Sequence, residues 1–127
     1  QAIDSALAEI NRVLRPGGRA LLEFYNRNSL RYLVKRLKAP APISNAHFDT
    51  DVFTRYDSPV EAVSSLPAQL ELDNVHGLRV LTPLGSLWQA PGLRVPLIQA
   101  ERRCRDHPFT RQFGGFLVLS VRRHSHA

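Results

Sequence analysis

A helical stripe that runs straight into Arg15-Pro16-Gly17-Gly18 constrains this chain more than any other feature. Ile3, Leu7, Ile10 and Leu14 recur at helical spacing, with Ala6 and Val13 widening the apolar face and Asn11 and Arg12 on the wet side. Proline disfavours helix in the residue before it, and glycine permits left-handed backbone, so the chain must stop and reverse within a few residues. Arg19 to Tyr25 then reads as a strand. Ala20, Leu22 and Phe24 face one way, and Leu21 and Tyr25 face the other with Glu23, which predicts a strand covered on both sides.

The remaining segments follow the same alternation. A helix is expected from about Ser29 to Leu37, with Asn28 or Ser29 as its N-cap and Leu30, Leu33, Val34 and Leu37 as its buried stripe. Residues 39–42, Ala-Pro-Ala-Pro, form a stiff connector, and a short extended piece is expected around Phe53 to Tyr56. Ser58-Pro59 opens a helix that holds Val60, Val63 and Leu66. Leu70 to Leu81 reads as a strand interrupted at His76-Gly77, followed by a loop through Pro91-Gly92. Leu93, Leu97, Ala100 and Cys104 mark a further helix closed by His107-Pro108. Gly115 to Val121 is an almost unbroken apolar run, and an edge strand would leave too much of it bare, so it is placed centrally. The order argues for an α/β layer architecture in a single domain over residues 1–127, with about three strands. Three strands are few for this length, and the expectation is a sheet incomplete on its own.

With 43% hydrophobic and 22% charged residues, the chain can build a core, and no run approaches the ~18 apolar residues of a membrane span. The expected setting is the cytoplasm, with no membrane partner. One cysteine excludes an internal disulfide framework and an all-cysteine metal site. Arginine supplies most of the positive charge, which is uneven: residues 1–38 carry eight cations against three carboxylates, residues 39–75 one against six, and residues 76–127 eight against two. The arginines are scattered and not interleaved with aromatics, so a nucleic-acid role is disfavoured.

Glu9, Arg12, Val13, Leu14, Arg15, Pro16, Gly17 and Gly18, followed by the hydrophobic strand, resemble the late helix, turn and fifth strand of class I S-adenosylmethionine-dependent methyltransferases. About 20 residues match closely, and the rest matches in element order. The resemblance implies the C-terminal part of a Rossmann-like methyltransferase sheet, with the last strand antiparallel between the other two and one apolar edge of Arg19–Tyr25 unpaired. Such an edge invites self-association or docking of an N-terminal half. The family holds its cofactor with a glycine-rich turn after its first strand. This sequence has no G-x-G, and its Gly17-Gly18 and Gly114-Gly115 pairs precede strands, so no cofactor-binding residue is expected here. The implied function is the acceptor side of a methyl transfer to a small molecule, with S-adenosylmethionine held outside this chain.

Ligands in open α/β sheets lie beyond the carboxyl ends of strands, which makes Tyr25, Asn26 and Arg27 the candidate acceptor-binding residues. Tyr25 and Asn26 can orient an acceptor by hydrogen bonds, and Arg27 can pair an acid; Asn28 fits a capping role better. Trp88 is a fourth candidate, as an apolar wall, although packing against Leu84 and Leu87 explains it as well. No catalytic residue is assigned. His47, Asp49 and Asp51 lack metal-ligand spacing, so no metal is expected. Cys104 is expected to be a buried structural thiol, and His124 and His126 to lie in a frayed terminus. The competing class is a basic, non-catalytic module that binds an anionic partner.

Overall fold

The computed structural model describes residues 2–37, 54–81 and 92–125. Trp88, Leu84, Leu87, Phe53, the 39–42 connector, the His47/Asp49/Asp51 group and His126 all lie outside them. The protein is mixed α/β. In chain order it runs α1 (Ala2–Val13), β1 (Arg19–Asn26), α2 (Leu30–Leu37), β2 (Tyr56–Asp57), α3 (Pro59–Ser64), β3 (Leu70–Leu78), α4 (Arg94–Asp106), a short 3-10 turn (Arg111–Phe113) and β4 (Phe116–Arg123).

The Pro-Gly-Gly corner acts as its chemistry demands. Gly17 takes a φ of +75°, and a Cβ on Gly18 would stand 2.8 Å from the Arg15 carbonyl oxygen. Gly17 N–H donates to the Arg123 carbonyl (3.0 Å), and Arg123 N–H donates to the Gly18 carbonyl (2.9 Å). The Arg123 guanidinium reaches back to the Leu14 carbonyl, so the last strand caps the C-terminal end of the first helix.

The four strands lie in the order β2-β1-β4-β3. β4 runs antiparallel to both neighbours, from Arg19↔Arg122 to Tyr25↔Phe116 on one side and from Leu70↔Arg123 to Leu78↔Phe116 on the other. The apolar run thus forms the central strand, and Leu117, Leu119 and Val121 are fully buried. The register aligns them with Phe24, Leu22 and Ala20 on one face. Leu7 of α1 and Ala62 of α3 complete that core, with Ile3, Ile10, Leu14, Val63 and Leu66 packed around it.

Several expectations need correction. β1 is buried on one face only: Leu21, at 72% exposed, lies with Glu23 and Tyr25 on the other. α2 buries no residue, and its Leu30, Leu33 and Leu37 are exposed, because no described element lies against that stripe. Val13 and Val60 point outward, while Asn11 is half-buried. β3 continues through His76-Gly77 and ends at Leu78, with its irregularity between Leu72 and Asn74. Gly77 keeps the strand intact because a Cβ there would meet the Arg111 carbonyl oxygen at 2.2 Å, a contact only glycine admits. α4 leans on β3 without burying any residue fully, and Cys104 is half-buried rather than a core thiol. The outer edge of β1 is not wholly unpaired, since β2 joins it in parallel at Tyr25↔Tyr56 and Asn26↔Asp57. Among the described residues no strand flanks positions 19–24 on that side. No described helix is long and apolar enough to cross a membrane.

Candidate functional site

The carboxyl end of β1 gathers more chemistry than any other part of the described chain. Asn26 is fully buried there. Its Nδ2 donates to the carbonyls of Gln112 and Gly114, both at 2.7 Å, and its Oδ1 accepts from Asn28 N–H at 3.0 Å. Both amide hydrogens are therefore engaged with backbone, and the side chain ties β1 to the turn that leads into β4. The Ser29 hydroxyl donates to the Asn26 carbonyl (2.7 Å) and accepts from Tyr32 N–H (3.1 Å), which makes Ser29 the N-cap of α2.

Tyr25 sits 5.0 Å from the Phe116 ring and 5.5 Å from Tyr56, and Tyr32 sits 4.7 Å from Tyr56. Three cations of α2 lie over this cluster: Arg31 5.3 Å from the Phe116 centroid, Lys35 5.9 Å from Tyr56 and Arg36 5.9 Å from Tyr32. A tilted aromatic surface beneath positive charge favours flat, anionic or polarisable groups. Tyr25 remains 40% exposed and is the ring among these most open to a ligand.

Arg27 points elsewhere, pairing with Glu61 at 2.6 Å. Glu61 also completes a reciprocal cap with Ser58, accepting Ser58 N–H at 2.7 Å while Ser58 Oγ accepts Glu61 N–H at 3.3 Å. The Ser58 backbone N–H, then its hydroxyl and Arg27, push the Glu61 carboxyl down to about 2. Asp57 is buried and held by Arg55 at 2.8 Å.

Two cavities flank β1. One, of about 560 Å3, follows its free edge between Ile3, Leu7 and Ile10 of α1 and Thr54, Arg55 and Asp57. The other, of about 450 Å3, lies on the uncovered sheet face between Leu21, Glu23, Val118, His76 and Arg105. There His76 pairs with Asp106, whose carboxyl is pushed down to about 2 by Arg105 first and His76 second. No group of three metal-ligating side chains occurs among the described residues.

At Gly18, Gly77 and Gly114 backbone atoms lie 2.8, 2.2 and 2.7 Å from where a Cβ would stand, so at these three positions the missing side chain admits close approach of the chain to itself. Of the sequence candidates, Tyr25 and Asn26 fall at this strand end as open ring and internal brace, Arg27 is beside it in an ion pair, and Trp88 is outside the described residues. Sequence reasoning missed Arg31, Tyr32, Tyr56 and Phe116. Tyr56 sits two residues before the Ser58 cap, a signal that fixes a helix start but not a partner strand. No family model and no curated protein matches the chain.

Proposed function

We propose that this chain provides the acceptor-side portion of an S-adenosylmethionine-dependent methyltransferase acting on a small molecule. The observation that carries the reading is β4 lying antiparallel between β1 and β3, with β1 itself entered from a helix–Pro–Gly–Gly corner and aromatic rings collected at its carboxyl end. Methyl transfer depends mainly on holding acceptor and donor in line at short range. In this reading the cofactor supplies an electrophilic methyl group from residues other than these. The present residues bind and orient the acceptor: Tyr25 offers a ring face and a hydroxyl, and Asn26 keeps the strand end and the turn before β4 rigid beneath it. The free edge of β1 and the apolar groove beside it suit a further strand, from a second copy or an N-terminal half.

The non-catalytic basic module is the weaker reading. Arg12, Arg19, Arg27, Arg55, Arg105 and Arg122 are each paired with an acid of the same chain, so six of the seventeen cations are already engaged within the fold. Calorimetric titration of the 127-residue chain with S-adenosylmethionine should give no binding heat. Tight binding would overturn the acceptor-side assignment. Affinity for an anionic partner that falls steeply with salt, without any acceptor chemistry, would favour the basic module.

A further inference from the structure

We infer that the cavity on the uncovered sheet face is a binding site for a small hydroxylated aromatic amine, with its ammonium at Glu23, its ring over Val118 and its hydroxyl at His76. Strand register builds the site. Glu23 of β1 and His76 of β3 are both paired with Val118 of the intervening β4. They therefore stand in one row on one face, two strand spacings or about 10 Å apart, on either side of that valine. Leu21, two residues before Glu23, and Leu78, two residues after His76, widen the apolar floor, and Arg105 of α4 lines the cavity above them. An apolar floor with a few polar groups, in about 450 Å3, suits a small organic molecule.

The two ends of the cavity call for different groups. Arg105 and Asp106 offset each other at 2.8 Å, whereas Glu23 has no cationic partner among the described residues. One carboxylate charge is left unmet beside apolar surface, and an ammonium answers it. At the other end Asp106 engages His76 Nδ1. Arg105 first and His76 second hold the Asp106 carboxyl at about 2, so it is an anion that can only accept. A singly protonated His76 ring thus carries its hydrogen on Nδ1 and leaves Nε2 as a bare acceptor.

Nε2 has no hydrogen-bond partner among the described residues, yet the buried atoms left unmet there are Asn11 Oδ1 and Arg31 Nε alone, so Nε2 is reachable. A hydroxyl supplies the donor it lacks. A rigid, flat ring spans the gap over Val118 with little conformational freedom to lose. The inference goes beyond the acceptor-side reading and does not rest on it, because described residues alone line the cavity.

The test is titration of the 15N-labelled chain with tyramine, followed at the Val118 amide and the His76 ring nitrogens. Phenethylamine, without the hydroxyl, and p-cresol, without the ammonium, are the controls. Tyramine should shift both reporters saturably. Phenethylamine should bind about fivefold more weakly and move Nε2 far less, and p-cresol should bind at least about tenfold more weakly. Glu23 is exposed, so Glu23→Gln should melt with the parent while tyramine affinity falls at least about tenfold. Glu23→Lys should reverse the preference toward 4-hydroxyphenylacetate, which carries an acid in place of the ammonium, a reversal that a merely structural residue does not produce. The absence of a saturable shift, equal binding of either control, a tyramine complex that leaves Nε2 unmoved, or unchanged tyramine affinity in Glu23→Gln would overturn the inference.

Discussion

Asn26 offers the sharpest separation between a residue that touches ligand and one that holds the fold. Replacing it with alanine removes three hydrogen bonds, two from Nδ2 to the Gln112 and Gly114 carbonyls and one accepted from Asn28 N–H. At about 1 kcal/mol net each, with the backbone groups left unmet in a fully buried position, Asn26→Ala should cost about 3 kcal/mol of unfolding free energy. Asn26→Asp keeps the shape but turns a carboxyl toward two carbonyl oxygens. Below the unfolded carboxyl value of about 3.9 the new group is neutral in both states and still donates one hydrogen bond. Burial and the facing carbonyls hold its folded pKa above that value. Stability is therefore lost as pH rises from about 4 toward the raised folded value, and it stays low beyond it. Urea unfolding followed by circular dichroism at pH 3.5 and pH 7 reads both effects. An alanine cost under about 1 kcal/mol, or an aspartate variant equally stable at the two pH values, would refute the bracing role.

Glu61 gives the opposite sign. Its carboxyl is depressed from 4.5 to about 2, so its contribution to the start of α3 is present above pH 4.5 and fades as pH falls toward 2. Thermal unfolding should show Glu61→Gln below the parent at neutral pH, with the gap closing in acid; a gap that widens in acid would contradict the assignment. Gly77→Ala places a Cβ 2.2 Å from the Arg111 carbonyl oxygen, against backbone that cannot rotate aside. The variant should lose several kcal/mol or fail to fold, as overpacking and broken strand pairing predict, and native-like melting would show that the close approach is not required.

The α1–Pro–Gly–Gly–β1 corner and the central place of β4 were legible in the chain because each rests on local pattern. The spacing of Ile3, Leu7 and Ile10, the left-handed Gly17, and the apolar run from Phe116 to Val121 all carry their own instruction. The candidate site was legible only in part. Tyr25 was found from its place at a strand end, but its ring neighbours Tyr56 and Phe116 lie 31 and 91 residues further on, and no local rule joins them. The stripe of Leu30, Leu33 and Leu37 shows the same limit, since an amphipathic period declares a face without declaring what covers it.

Tertiary structure alone decided two matters: that Asn26 braces the turn before β4, and that one face of β1 is covered and the other open. Each depends on strand register, and register is set by pairing between segments distant in the chain. Periodicity specifies which residues form an element, whereas only the closed sheet brings separate elements to one point.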